Sequence, residues 1–262
     1  MTDMQIAYEI AAASVRQRFA EQHPEILTIL NRINQDDIAV YSGNFDKVEE
    51  VLKCLNVPYT MNPKGKDIKA EIIFVNCSGS YDNQLISDLS QQVENGKYLV
   101  SSDWAVGHFI PKAFPNNLNI LWSEVVVLGA DPQWWLENSS YPIEILNPDK
   151  VKIEAASHDL LQSYNAPVIA VSFDWGKGHV FHVIYHFWCK RTRVLTPRHQ
   201  APCTDFLEAG MKLSQEGIEK VLCESNIKAD TLNFAQLQSA ATATELIAQL
   251  CAKAVGKLAV SR

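Results

Sequence analysis

Residues 166–191 read APVIAVSFDWGKGHVFHVIYHFWCKR. Runs of β-branched and aromatic residues at 168–173 and 180–188 predict two buried strands, and Gly176 and Gly178 give the connecting Gly-Lys-Gly the backbone freedom of a tight hairpin. His186 stands at the far end of the second run, which makes it the first candidate for a functional site.

Toward the N-terminus, 38–41 reads as a short buried strand, 42–44 (SGN) as a turn and 45–55 as a helix with Val48, Val51, Leu52 and Leu55 facing inward. A strand is expected at 58–62, and 71–77, ending in IIFVNC, is a continuous apolar strand. The polar loop SGSYDN and a helix at 84–94 follow, then Gly96 and another strand at 98–101. Strands alternating with short helices and short connections are the pattern of a parallel sheet with right-handed crossovers. Residues 6–34 form a helical lead-in with one apolar stripe before Pro24 and a second after it. Beyond Pro115 the chain becomes strand-rich and irregular, with strands expected at 125–128, 143–146 and 152–153 and a loop-borne Trp134-Trp135 pair after Asp131-Pro132. From Pro202 it turns helical, at 205–213, 215–225 and an Ala-rich 233–255. The expected organisation is a helical segment at 1–35, an α/β domain at 36–195 and a C-terminal helical region at 196–262.

The chain has 262 residues, 47% hydrophobic and 20% charged, which is enough to bury a full core. A net charge of −7 argues against a nucleic-acid surface, and the basic group Lys190, Arg191, Arg193 and Arg198 reads as a solvated strand end. No window approaches the ~20 apolar residues of a membrane span, and no secretory signal is expected. Cys54, Cys77, Cys189, Cys203, Cys223 and Cys251 contain no CxxC pair, which fits a reducing cytoplasm.

Three polar groups are expected to converge above the carboxyl edge of the sheet: Cys77 with Ser78, Ser102 with Asp103, and His186. A Cys–His or Ser–His pair oriented by Asp103 has the logic of an activated nucleophile. The bland counterpart makes Cys77 a small buried hydrophobe, Asp103 the cap of a helix beginning at Trp104, and His186 a hydrogen-bonded core residue. His179, His182 and His186, with 182 and 186 on one side of a strand, raise a metal site, with Asp174 or Asp103 as further ligands, but cross-strand packing is the preferred reading and no metal is assigned. The CSGSYDN loop (77–83) offers backbone N–H groups to an anion. There is no GxGxxG or GxxxxGK[ST], so no nucleotide cofactor is expected, nor any other.

The order of strand 38–43, helix, strand and loop 71–79, helix, strand and sharp turn 96–104, then GKGHVFHVIYH, resembles the class I glutamine amidotransferase-like superfamily, nearest its trehalose-utilisation-type (ThuA-like) and related non-amidotransferase branches. The resemblance covers about 38–190. It implies a flavodoxin-like or amidotransferase-like, mostly parallel sheet with flanking helices, to which the C-terminal helices are an extension. It also implies a nucleophile elbow at Ser102-Asp103 in LVSSDWAVGHF, faced by His186. The elbow has no cysteine and no small-residue framing, and Phe187-Trp188 stands where a Pro-Glu pair would follow the histidine, so glutamine hydrolysis is not implied. The resulting expectation is a non-catalytic binding or scaffolding module, a pseudoenzyme component of a bacterial multi-protein system. Its partner, or a second copy, would meet the C-terminal helices, and a small ligand would sit at Ser78, Gly79, Ser80 and Trp104. The alternatives are a small-molecule hydrolase using His186 with Ser102 or Cys77, or with a metal, and a sensor of a small anion.

Overall fold

The computed structural model describes residues 2–64, 68–121, 140–192, 194, 196–225 and 232–260. The expected strand at 125–128, the Trp134-Trp135 pair and Arg193 lie outside the described residues.

The strands are β1 (Ile38–Tyr41), β2 (Thr60–Met61), β3 (Ile72–Val75), β4 (Tyr98–Ser102), β5 (Leu118–Ile120), β6 (Ile143–Ile145), β7 (Lys152–Ala156), β8 (Val168–Trp175) and β9 (Gly178–Val183). The helices are α1 (Asp3–Gln22), α2 (Pro24–Leu30), α3 (Val48–Cys54), α4 (Asn83–Glu94), α5 (Ala105–His108), α6 (Ile110–Ala113), α7 (His158–Tyr164), α8 (Cys203–Ala209), α9 (Gln215–Ser225) and α10 (Phe234–Val260). A seven-stranded sheet has the order β2-β1-β3-β4-β9-β8-β7, and β5 and β6 form a separate antiparallel pair. Strands β2, β1, β3, β4 and β9 run parallel, whereas β8 and β7 run antiparallel to their neighbours.

The parallel core follows from composition. Every residue of β1, β3 and β4 is buried, and strands covered on both faces need no polar alternation. The chain moves from β1 to β2 in one direction across the sheet and from β3 to β4 in the other. Right-handed crossovers therefore place α3 and α4 on opposite faces. Helices α1 and α10 pack with α3 on one side, and α4 with α6 covers the other. The β8–β9 hairpin pairs Trp175 with Gly178 across Gly176-Lys177. Gly176 has φ +58°, the left-handed value that such a turn reserves for glycine, and a Cβ there would lie 2.6 Å from the Glu94 carbonyl at the end of α4.

Several boundaries differ from those expected. The lead-in is two helices broken at His23, the first capped by Thr2 and Gln5 in a reciprocal capping box. The helix expected from 45 starts at Val48, because the amides of Phe45 and Asp46 instead bond to the carbonyl of Cys77, both at 3.0 Å. The strand expected over 180–188 ends at Val183, so His186 lies in the following loop. The helix expected at 205–213 runs from Cys203 to Ala209, and Lys212 beyond it has φ +54°. Strand β5 and helices α6 and α7 stand where the sequence pattern predicts no element. Among the described residues no helix is long and apolar enough to cross a membrane.

Candidate functional site

Parallel strands end their chains on one edge, and the edge of β1, β3, β4 and β9 carries the loops that matter. The strand order reverses between β1 and β3, and ligands of open α/β sheets bind beside such a reversal.

Asp103 follows β4 directly. Its φ of +43° turns the chain sharply out of the strand, and its amide is held by the carbonyl of Val183 at the end of β9, at 2.7 Å. A non-glycine residue in the left-handed region is kept there only when its surroundings over-determine it. The side chain does not cap the following helix, whose N-cap, Trp104, makes no side-chain cap bond. It points instead at two other groups. Asp103 Oδ2 lies 3.1 Å from His186 Nε2 and accepts from Cys77 Sγ at 3.4 Å. The three residues are 1%, 5% and 1% exposed for Asp103, His186 and Cys77.

Burial sets the proton chemistry of this cluster. Desolvation pushes the Asp103 carboxyl above its usual range, against the pull of His186 and Cys77. Desolvation likewise raises the Cys77 thiol to about 11, because the hydrogen bond from His186 is outweighed. Without a bound cation, Cys77 is a protonated thiol at neutral pH, unlike an activated nucleophile.

His186 is positioned by residues that the sequence reading did not single out. Buried Asp46, in the loop after β1, accepts from the backbone amides of Phe187 at 3.1 Å and Trp188 at 3.0 Å. Tyr8 of α1 donates its hydroxyl to the carbonyl of Phe187 at 2.7 Å, accepts the Cys189 amide at 2.8 Å, and stacks its ring on Trp188. Gly43 makes the approach of the β1 and β3 loops possible, since a Cβ there would sit 2.1 Å from the Cys77 carbonyl oxygen. Asn76 bridges to the start of α3, accepting from the Val48 amide at 3.2 Å and donating to Glu49 at 2.8 Å. A carboxylate three residues past a βα-turn glycine, as in Gly43-Asn44-Phe45-Asp46, was the available hint for Asp46.

The other expected residues disperse. Ser102 is buried, and its Oγ accepts the Cys77 amide at 3.1 Å. Ser78 offers its carbonyl to the Asn44 side chain at 3.1 Å, Ser80 is exposed and Gly79 half-buried. Trp104 stands at the edge of the cluster among aromatic rings, 6.0 Å from Phe45 and 5.3 Å from Tyr141 between centroids. The three histidines of the hairpin go to three different places. His179 pairs with Asp174 at 2.7 Å across the hairpin, and His182 is buried against Ser101 Oγ at 2.9 Å. Only His186 of the three joins the cluster, so the strand-based metal arrangement is replaced by another: Cys77, Asp103 and His186 each bring one ligand atom within 4.8 Å of the others.

No family model and no curated protein matches the chain. Among solved structures it is similar to a catalytic mutant of Gan42B, a GH42 β-galactosidase from G. stearothermophilus, at 10% identity and TM-score 0.40, over 61% of this chain and 28% of that one. It is also similar to a β-galactosidase from Bacillus circulans sp. alkalophilus (13%, TM-score 0.41, 63% and 31%) and an exo-β-1,4-mannosidase, Op5Man5, from Opitutaceae bacterium strain TAV5 (11%, TM-score 0.41, 72% and 35%). The chain matches only about a third of those chains' length, and likenesses this distant carry no conclusion about activity.

Proposed function

We propose that this chain is a non-catalytic, amidotransferase-like α/β module that binds or scaffolds rather than turns over a substrate. The observation that carries the reading is the occupant of the elbow. Asp103, on a left-handed backbone after β4, faces His186 and spends Oδ2 on both His186 and Cys77 within a buried cluster. A carboxylate so engaged, beside a thiol raised to about 11, leaves no group ready to attack an amide. The strand order β2-β1-β3-β4-β9 supports a flavodoxin-like or amidotransferase-like sheet, and the free thiols of all six cysteines support a cytoplasmic setting.

Turnover assays test the reading. Purified protein is offered glutamine, acyl esters and glycosides, alongside His186→Ala. No turnover by the wild type is expected. Hydrolysis that disappears in His186→Ala at unchanged Tm overturns the proposal in favour of a hydrolase.

In this reading the partner, or a second copy, meets the C-terminal helices. A groove of about 380 Å³ between α1, α8 and α10, crossed by the Arg18–Glu245 ion pair at 2.8 Å, supports that placement. Glu245→Arg reverses one charge on its wall. Loss of co-purification or self-association with Tm largely retained is expected, and an unchanged assembly counts against the placement.

A further inference from the structure

We infer that Cys77, Asp103 and His186 form a zinc-class metal site that ties the carboxyl ends of β3, β4 and β9 together. The donor set is one sulfur, one oxygen and one imidazole nitrogen, the borderline-soft mixture suited to Zn²⁺ rather than to Mg²⁺ or Ca²⁺.

The distances fit. Tetrahedral Zn²⁺ at ordinary bond lengths sets neighbouring ligand atoms about 3.2–3.6 Å apart. Asp103 Oδ2 lies 3.1 Å from His186 Nε2 and 3.4 Å from Cys77 Sγ, and all three ligand atoms fall within 4.8 Å. Burial makes the same point independently, since a carboxylate 1% exposed needs a compensating charge or hydrogen bonds on both oxygens. Asp103 Oδ1 has no hydrogen-bond partner among the described residues, and the facing Ser140 hydroxyl, also buried, has none either. A cation held by the three side chains compensates that carboxylate, with the Ser140 hydroxyl or a water as the fourth donor. Binding displaces the thiol proton of Cys77 and leaves His186 Nε2 unprotonated, so the metal replaces the protons that otherwise bridge these atoms.

The backbone is prepared for this. The left-handed turn at Asp103 aims its carboxylate across the edge of the sheet, and Asp46 and Tyr8 hold the loop that presents His186. Three side chains from three neighbouring loops supply one ligand fewer than a closed structural zinc site, so the fourth position falls to the Ser140 hydroxyl or a water, and burial of all three ligands keeps that position away from bulk solvent.

The test uses the whole chain, stripped with a chelator and loaded with Co²⁺ or Zn²⁺. Expected are about one metal ion per chain retained through gel filtration, a thiolate-to-cobalt charge-transfer band, and a Tm rise of about 5–10 °C at zinc a hundredfold above Kd. The band disappears in Cys77→Ser and persists in Cys189→Ser, whose thiol also lies beside His186. Should Cys77→Ser fail to fold, His186→Asn and Asp103→Asn serve instead, each losing metal uptake. A wild-type protein without the band, or a band that survives in Cys77→Ser or both alternative variants, overturns the site. The outcome is separate from the non-catalytic reading, because hydrolysis lost in His186→Ala sinks that reading while leaving the wild-type cobalt spectrum as it is.

Discussion

The hydroxyl of Tyr8, in the first helix, donates to the carbonyl of Phe187, 179 residues further along the chain, at 2.7 Å. The same oxygen accepts the amide of Cys189, so one phenol closes the loop that carries His186. The N-terminal helix thereby belongs to the architecture of the candidate site.

Tyr8→Phe removes both bonds and leaves a buried carbonyl and amide to find other partners. A loss of about 1–3 kcal/mol is expected in urea titration, with the aromatic stacking on Trp188 retained. A loss under ~0.5 kcal/mol shows that the loop is held by Asp46 alone.

Gly43→Ala places a methyl 2.1 Å from the Cys77 carbonyl, which is backbone and already bonded to the amides of Phe45 and Asp46. The β1 and β3 loops must separate, and destabilisation of about 2–4 kcal/mol follows. Wild-type stability in this variant rules out the close approach.

Thiol reactivity separates Cys77 from the surface. Cys223 is exposed, whereas Cys77 is buried with its thiol raised to about 11. At pH 8 iodoacetamide labels Cys223 rapidly and Cys77 at least ~100-fold more slowly, read by peptide mass spectrometry. Comparable rates contradict the closed site.

His182 makes stability depend on pH. Burial lowers its pKa from 6.5 to about 3, so the unfolded chain binds a proton that the folded chain refuses between those values. Stability contributed this way is complete above about pH 6.5 and is lost as the pH falls toward 3, by up to ~5 kcal/mol. Asp103 acts in the opposite sense: its raised pKa favours the protonated folded form, so its contribution weakens as pH rises above the ordinary carboxylate pKa. Denaturant titrations from pH 7 to pH 4 show the net slope, and His182→Asn shifts it toward greater acid tolerance. A wild-type slope unaffected by His182→Asn disproves the assignment.

Much of the fold was legible in residues taken a few at a time. Ile72–Val75 is apolar throughout because both faces of a central parallel strand are covered, and Gly176 marks the hairpin because its turn needs a positive φ; both properties are local. The nearness of Cys77, Asp103 and His186 was also foreseeable, since parallel strands bring their ends to one edge. What those residues do to one another was not. The sequence alone left Asp103 a plausible helix cap and His186 a strand residue; the Val183 carbonyl, Asp46 and Tyr8 turn them toward each other and shut water out. Burial, hydrogen-bond direction and the resulting proton affinities depend on atoms contributed by segments far apart in the chain, so only the tertiary structure decides whether this constellation is an open nucleophile or a closed cluster.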